Sequence, residues 1–498
     1  MNSPGYHRAV RGGGNGVNQQ IPDGVALPNG VSAPALLHRL LTETAARFGG
    51  LEAAQLPASV ESFRKSFPGA IVRFEALRAA SPERSEIARF LVEASHRSLY
   101  SADAGRALPL DQAVRAPAAP LELDPWRMQG SGRLVPSIPY AERVFRGREI
   151  VGLADDLAER ELLAPAGRDA LVWLLDHALD SAGELDLGGR RFALLGAGAE
   201  LAPTPMLLEA GAEVLWIDLA PPREALAKDS ALSGRLWVPR GGANLLAAPA
   251  AVTATLSQFA EAGPIEVGLY AYAPGASREW RLEAAMNAIV DALPRGALRS
   301  VSLLLSPTTP LAMGPAERAA RARRSGVLPA WQRVLGATGL LGARDPVSAG
   351  EEQVPRLVVA LQGVSYQAAQ YVEKLCAAER WATAPGRRFT VSANVAGISR
   401  TRSLSHPLFE AAYAGATAFG VETFAPETTR ALNGLLTLHD LLNPAAPGAP
   451  GGDPRSLFAE RFHGGFHAVP WAIDPALRAA AVLGLARHPA LMAKLLRR

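Results

Sequence analysis

Residues 191–219 decide the fold, and they read RFALLGAGAELAPTPMLLEAGAEVLWIDL. The segment opens with an apolar run short enough for a buried parallel strand, and Gly196 and Gly198 follow where the backbone must turn sharply. A second apolar strand ends at Asp218, 20 residues after Gly198. Strand, glycine turn, helix, strand and acid are the order of a dinucleotide-binding βαβ unit, in which the acid accepts hydrogen bonds from the adenosine ribose.

Two further positions refine this interpretation. Leu201 stands where the G-x-G-x-x-G pattern has its third glycine, which predicts a wider phosphate loop. Asp218 favours NAD over NADP, because a carboxylate repels a 2′-phosphate. NADP stays open as an alternative, since Arg223 follows Asp218 closely enough to reach that phosphate.

Composition places the chain among ordinary globular proteins. It has 498 residues, 48% of them hydrophobic and 20% charged, which is enough for two or three domains. No apolar run approaches the roughly 18 to 20 residues of a membrane span, and the first residues contain no apolar core of a signal peptide. The single cysteine, Cys376, excludes an internal disulfide, so we expect a cytoplasmic protein.

The hydrophobic pattern divides the chain into four regions. They are a disordered tail (1–30), a helical N-terminal domain with a Pro-rich strap (31–182), a Rossmann-like dinucleotide-binding and catalytic domain with a helical insertion at about 311–352 (183–442), and a linker with a C-terminal helical tail (443–498). Strands and helices alternate through the third region. This alternation predicts an α/β fold with a doubly wound parallel sheet, a helical N-terminal region and helical insertions.

The later elements of that alternation are predicted from the same pattern. Strands are expected at 265–272, 298–305, 356–362 and 389–395, and helices at 250–262, 278–293 and 366–381.

Over about residues 190–405 the order of elements and the residues at the strand ends resemble the short-chain dehydrogenase/reductase superfamily, in a divergent and enlarged form. The resemblance implies phosphate-loop glycines Gly196 and Gly198, the ribose acid Asp218, Asn244 near the adenine, Ala273 and Gly275 in the place of an Asn-Ala-Gly motif, Ser306 to orient a substrate carbonyl, Tyr366 as proton donor, and Gly397 and Thr401 to clamp the nicotinamide carboxamide.

One position departs from the family pattern. The motif Tyr-x-x-x-Lys needs a lysine four residues after Tyr366, and this chain has Gln370 there. Such a lysine lowers the pKa of the tyrosine and binds the nicotinamide ribose. Tyr371 with Lys374, three residues apart, is therefore a substitute catalytic pair. That both tyrosines merely pack the helix against the sheet stays open as well.

Polar residues beyond the nicotinamide end are candidates for substrate binding. Thr308 follows a strand end, and Arg400 and Arg402 begin a loop that also contains Ser403, Ser405 and His406. An arginine there pairs with a carboxylate or phosphate of a substrate, or forms a structural salt bridge with Glu410 or Glu422.

Other charged groups are interpreted as structural. Two histidines at His463 and His467 have no acidic or cysteine ligand beside them, so no metal is expected. His439 and Asp440 are expected at the surface. The basic segment 318–324 is interpreted as a solvated helix face, so no nucleic acid is expected. The C-terminal helix, 475–498, leaves open a peripheral contact with a membrane.

Together these features predict an NAD(P)-dependent oxidoreductase that moves hydride to or from a carbonyl or alcohol of a bulky, hydrophobic small molecule. Two alternatives stay open, an S-adenosylmethionine-dependent methyltransferase and a non-catalytic nucleotide-binding scaffold or sensor. The resemblance also leaves open a homodimer, since dimers are common in that superfamily.

Overall fold

The computed structural model of the protein describes residues 24–492, except 104–105, 129, 131–132, 403–406 and 489. Most of the expected N-terminal tail, the loop residues Ser403, Ser405 and His406, and the basic C-terminal residues lie outside the described residues.

The strands of the described chain are, in order, β1 (Gly24–Ala26), β2 (Tyr100–Asp103), β3 (Arg106–Pro109), β4 (Leu123–Arg127), β5 (Ser137–Tyr140), β6 (Arg143–Arg146), β7 (Arg191–Leu195), β8 (Glu213–Ile217), β9 (Arg235–Pro239), β10 (Ile265–Leu269), β11 (Leu298–Leu305), β12 (Val347–Ala349), β13 (Glu352–Val354) and β14 (Thr390–Val395).

The α-helices are α1 (Ala33–Arg47), α2 (Val60–Ala80), α3 (Arg84–Ser98), α4 (Leu110–Ala113), α5 (Glu149–Glu159), α6 (Pro165–His177), α7 (Thr204–Glu209), α8 (Glu224–Ala227), α9 (Pro249–Phe259), α10 (Arg278–Ala292), α11 (Pro315–Gly326), α12 (Ala330–Ala337), α13 (Gly363–Leu375), α14 (Pro407–Ala416), α15 (Pro426–Leu442) and α16 (Ile473–Arg487).

One large sheet organises the molecule. Its strand order is β14-β11-β10-β7-β8-β9-β4, and all neighbours are parallel except β4. Numbered along the chain, the six parallel strands have the order 3-2-1-4-5-6 of doubly wound dinucleotide-binding sheets, read from the β9 side. The strand order reverses between β7 and β10. The predicted α/β fold with a doubly wound parallel sheet is confirmed.

Both faces of the sheet are covered, as the apolar composition of its strands requires. Along β7, Ala193 and Leu195 face one core while Phe192 and Leu194 face the other. Helices α10 and α13 cover the first face, and the N-terminal helices α1 to α3 continue the same core above them. Helices α6 and α15 cover the opposite face.

The Pro-rich strap contributes to the sheet. Its strand β4 pairs antiparallel with β9 at the edge, and Pro125 lies within it. Edge strands tolerate proline, because one side of such a strand makes no ladder hydrogen bonds.

The strand predicted at 356–362 is wrong. Leu357, Val358 and Val359 are buried, as the apolar run suggested, but the segment is irregular and ends in a 3₁₀ turn. Its backbone bonds to the start of α16, since Ile473 N–H donates to Arg356 O and Ala360 N–H donates to the Asp474 side chain. Leu357 and Val359 pack with residues of α14 and α16, and Val358 packs into the main core, so burial on two sides gave this segment the apolar pattern of a strand.

The segment 311–352 contains α11, α12 and the first strand of a short antiparallel hairpin. Its basic helix α11 is not simply a solvated face. Arg321 is buried and donates to the carbonyls of Val469, Pro470 and Arg344, so it fastens the insertion to the C-terminal segment.

Candidate functional site

A cavity of about 770 Å³ lies at the carboxyl edge of the parallel sheet, where the strand order reverses. Ligands of doubly wound folds bind in this crevice. Segments after β7, β10, β11 and β14 form its floor, α10 and α13 form one wall, and α14, α16 and the segment between α15 and α16 form the roof. Most of the lining is apolar, and the volume is in the range of cavities that hold cofactors or drug-sized molecules.

Ser306, Thr308 and Tyr366 line this cavity together. The hydroxyl oxygens of Ser306 and Thr308 are 2.8 Å apart. The Tyr366 hydroxyl lies close to the Ser306 side chain, which favours its ionised form. Burial raises the pKa of Tyr366 above its ordinary value, and the contact with Ser306 opposes this increase only in part. The structure thus brings the expected proton donor and carbonyl-orienting serine together.

Gln370 occupies the position of the family's lysine and performs a different task. It lies one helical turn after Tyr366, and its side-chain carbonyl accepts a hydrogen bond of 2.5 Å from Ser306 N–H. Thr309 Oγ1 lies 3.4 Å from the same oxygen. Gln370 therefore fixes the loop after β11, and it places no positive charge beside Tyr366.

His467 contacts the loop after β11. Its Nε2 lies 3.2 Å from Pro307 O, and its Nδ1 lies 2.8 Å from the carboxylate of Glu317 in the insertion. Glu317, His463 and His467 come close enough to share a metal ion. Arg461 and the N–H of Gly314, however, already bind the second oxygen of Glu317. The insertion supplies the acidic neighbour that the sequence around His463 lacks.

The glycine turn after β7 is tightly constrained. Gly196 has φ +90°, and a Cβ there would lie 2.3 Å from Ala271 N, so the turn requires glycine. Gly198 lines the cavity, and its N–H donates to Asp218 at 2.8 Å. Helix α7 begins only at Thr204, so the loop is wider than in G-x-G-x-x-G and no long helix starts directly at the turn.

The residues after the turn fit a dinucleotide phosphate with one modification. Glu200 and Leu201 line the cavity, and their backbone N–H groups make no hydrogen bond to the described residues. The Glu200 carboxylate would repel a phosphate, but Arg402 binds both of its oxygens at 2.9 Å. Two unpaired donors and a neutralised acid are compatible with an anionic group here.

Asp218 does not line the cavity; it lies behind the glycine turn. One carboxylate oxygen accepts from Gly198 N–H and the other from Leu219 N–H at 2.7 Å. Each oxygen keeps a lone pair for a ribose hydroxyl.

Three other expected residues lie outside the cavity wall. Asn244 is exposed and its side chain caps the backbone of Leu246 and Ala247. Arg400 donates to Thr423 Oγ1, and Ala273 lies between two residues that line the cavity without lining it itself. Gly275, Gly397, Thr401 and Arg402 do line it.

The substitute pair Tyr371 and Lys374 does not reach the cavity. Both side chains are buried on the opposite side of α13, where each bonds to Glu75 of α2. Burial lowers the pKa of Lys374 to about 8 even though Glu75 favours its charged form. The hypothesis that these two residues carry the proton transfer is therefore corrected, since their helical face points away from Tyr366 and towards the N-terminal helices.

His439 and Asp440 are buried, so their expected place at the surface is wrong. Glu460, from the segment before α16, lies 3.1 Å from His439 Nδ1. Burial alone would lower the pKa of His439, but the bonds to Asp440 and Glu460 outweigh it and raise the pKa to about 9. The group holds the C-terminal segment against α15.

Two carboxyl groups of the cavity wall, Glu283 on α10 and Glu373 on α13, were missed by the sequence interpretation. Each is a single acid within an apolar helical stretch, AAMNAIV after Glu283 and YV before Glu373. An isolated acid on an otherwise buried helix face is the available signal for such a residue.

The roof is a close pair of helices. A Cβ on Gly415 of α14 would lie 1.9 Å from Ala480 O, and one on Gly484 of α16 would lie 1.9 Å from Ala411 O. The small-residue side of the C-terminal helix is thus covered by α14. No helix in the described part of the chain combines the length and apolarity needed to cross a membrane.

Comparisons with known proteins add little to this geometry. No family model matches the chain, and no curated protein matches it. Among solved structures, the chain is similar to the 3-alpha-hydroxysteroid dehydrogenase from Pseudomonas sp. B-0831 complexed with NADH. That similarity has 15% identity and a TM-score of 0.30, and it covers 51% of this chain and 92% of that chain. Similarity this low carries no argument about activity.

Proposed function

We propose that the protein is an NAD(P)-dependent oxidoreductase that acts on a carbonyl or alcohol of a bulky, hydrophobic small molecule. The observation that carries the proposal is the position of Tyr366 beside Ser306 in the wall of an apolar cavity, at the point where the strand order of a doubly wound sheet reverses. The constrained turn at Gly196 and Gly198 forms the neighbouring edge of the crevice.

Different side chains of the cavity would bind the cofactor, orient the substrate oxygen and transfer the proton. A nicotinamide dinucleotide bound along Gly198, Leu201 and Thr401 supplies or accepts the hydride. Ser306 donates a hydrogen bond to the substrate oxygen, and Tyr366 holds the proton that this oxygen gains or loses. The apolar roof excludes water, which strengthens both interactions.

A binding titration of the purified protein with NADH, NADPH and S-adenosylmethionine tests the proposal. We expect saturable binding of a nicotinamide dinucleotide that is lost in Gly198→Asp, followed by turnover with bulky secondary alcohols or ketones. Binding of S-adenosylmethionine alone would favour methyl transfer. Dinucleotide binding without turnover of any compound in the panel would favour a nucleotide-sensing scaffold.

Asp218→Ala should weaken NADH binding by about tenfold or more and NADPH binding much less, because a charged acceptor of the ribose hydroxyl is lost. Asp218→Asn is the matched control, since its amide oxygen still accepts from Gly198 N–H and keeps the turn in place. Calorimetric titration of both cofactors measures the effect. Equal loss of NADH and NADPH binding, or loss of neither, would contradict this assignment.

Gln370→Lys should shift the pH dependence of alcohol oxidation. The pKa of Tyr366 is raised in the wild-type protein, so the basic form needed for oxidation is gained only at high pH. A cation one turn away favours the phenolate and should move the rising limb about 1 to 3 pH units lower. Gln370→Met loses the same bond to Ser306 without adding charge. If the rate of alcohol oxidation rises over the same pH range in Gln370→Lys and Gln370→Met, Tyr366 is not the titrating base.

A further inference from the structure

The inner wall of the cavity contains a pair of buried carboxyl groups. Glu283 and Glu373 project from α10 and α13, which pack against each other, and both line the cavity. Their residues are only 3% and 4% exposed. Asn287, one turn after Glu283, is fully buried beside them.

These groups have unused hydrogen-bonding capacity. Asn287 Nδ2 donates to one oxygen of Glu283, but the other oxygen of Glu283 and the Asn287 carbonyl oxygen have no partner among the described residues. The Glu373 carboxyl makes no hydrogen bond or ion pair within the described part of the chain. Buried polar atoms in native proteins nearly always have partners, so such a concentration of free acceptors beside a cavity indicates a ligand.

A third acid in the same wall shows the contrast. Glu279, one turn before Glu283, accepts from Gly275 N–H at 2.9 Å and from Ser365 Oγ at 2.9 Å. Both of its oxygens accept from the protein, whereas Oε2 of Glu283 has no partner among the described residues. The cation nearest in sequence, Lys374, is bound to Glu75 on the other side of α13.

The groups whose charges shift the pKa values of the pair include no cation among the described residues. Tyr366 and Cys376 also interact with the pair, and neither is a cation. Burial raises the pKa of Glu373 to about 8. Burial and the neighbouring Glu373 raise the pKa of Glu283 well above its ordinary value. Burial therefore disfavours the charged form of both carboxyls while no cation is bound.

We propose that Glu283, Glu373 and Asn287 bind the ammonium group of an amine whose apolar body fills the cavity. An ammonium offers three donors. Glu283 and Asn287 each present one oxygen without a partner among the described residues, and the Glu373 carboxyl lies in the same wall. The positive charge allows one of the two carboxyls to release its proton to solvent and form a buried ion pair, while the other accepts through its carbonyl oxygen.

The position of the site relative to Tyr366 predicts the length of the ligand. Glu373 follows Tyr366 by seven residues on α13, which corresponds to about 10 Å along the helix. If the ligand is the substrate, its amine lies about this far from the reacting oxygen. In this respect the proposal rests on the proposed function, while binding of the amine does not depend on hydride transfer.

The test compares amines with alcohols of the same shape, in the absence of dinucleotide. The probes are 1-adamantylamine against 1-adamantanol and n-octylamine against 1-octanol, titrated calorimetrically at pH 7. We expect the amine of at least one pair to bind about tenfold tighter than its alcohol. Titrations in buffers of different ionisation enthalpy should also reveal proton release on binding of the amine, because a carboxyl ionises.

Variants connect this preference to the proposed residues. The double variant Glu283→Gln/Glu373→Gln should bind amine and alcohol alike, while its alcohol affinity and melting temperature stay near those of the wild type. Glu279→Gln, an acid in the same wall with its own partners, should retain the preference. The proposal is overturned if no amine binds tighter than its alcohol, including the case in which neither binds, or if the double variant keeps the preference.

Discussion

Replacing Tyr366 by phenylalanine should lower kcat for the oxidoreductase reaction by about 100- to 10,000-fold, the contribution typical of a positioned general acid or base. The change removes one oxygen from a ring that otherwise keeps its place against Tyr272, whose ring centroid lies 5.9 Å away. Dinucleotide affinity and melting temperature should therefore stay close to wild type. Steady-state kinetics with the best alcohol from the panel, together with a cofactor titration, measure both quantities.

Tyr272→Phe is the matched control for this experiment. Tyr272 lines the same cavity and also has a raised pKa, of about 12, because it is partly buried and lies near Glu279. Ser306 influences the pKa of Tyr366 and not that of Tyr272, so loss of the Tyr272 hydroxyl should change kcat by less than about threefold, well below a general acid–base effect. Equal losses in the two variants would show that the ring environment, and not the Tyr366 hydroxyl, matters for turnover.

The second large effect concerns stability. Glu75→Gln should lower the free energy of unfolding by about 3 to 5 kcal/mol, the cost of removing one partner from a buried ion pair. The carboxylate of Glu75 holds Arg78 at 2.8 Å, Lys374 and the Tyr371 hydroxyl at 2.8 Å, all of them buried. Without it, buried Lys374 loses its ion-pair partner and buried Arg78 is left with Glu379 alone. Urea denaturation followed by circular dichroism gives the difference.

Glu61→Gln on the same helix is the control. Its ion pair with Lys65 is exposed, with side chains 80% and 76% accessible, and should contribute less than about 0.5 kcal/mol. If Glu75→Gln lowered the free energy of unfolding by no more than Glu61→Gln does, the ion pairs of Glu75 would not stabilise the packing of the N-terminal helices against α13.

The same cluster makes stability depend on pH in a defined direction. Burial alone would raise the pKa of Glu75, but Arg78 and Lys374 outweigh it and lower the pKa from 4.5 to about 2. A depressed carboxyl pKa stabilises the folded state above the unfolded value, and this stabilisation is lost as pH falls. We expect wild-type stability to decrease between about pH 4.5 and 2, and this part of the decrease to be missing in Glu75→Gln.

The local sequence pattern was sufficient to predict the strands and turns at the centre of the sheet. The turn at Gly196, the strand ending at Asp218 and the serine at the end of β11 follow from short-range constraints on backbone and burial. The segment 356–362 had the same apolar signature as a strand, but its hydrogen-bonding partners are more than 100 residues away at the start of α16. Sequence pattern does not contain that pairing.

The site was predicted only where the pattern is local. Ser306 and Tyr366 meet as expected, whereas the role of Lys374 depends on Glu75, 299 residues earlier in the chain. The preference of Lys374 for Glu75 decides which face of α13 lines the cavity, and nothing near Lys374 in sequence indicates it. Glu283 and Glu373 were missed for the same reason, since only the tertiary arrangement leaves them without partners.

The contact of Gly415 and Gly484 with opposing backbone has a consequence for attempts to change the ligand that the cavity accepts. Any side chain at either glycine meets carbonyl oxygen at less than 2 Å, so a substitution there would force α14 and α16 apart and disturb the roof of the cavity. Protein engineers should instead vary the bulky side chains of α14 and α16 that line the cavity, which are Phe409, Tyr413 and Leu477. Truncating them creates room for larger compounds while the scaffold that carries them keeps its geometry.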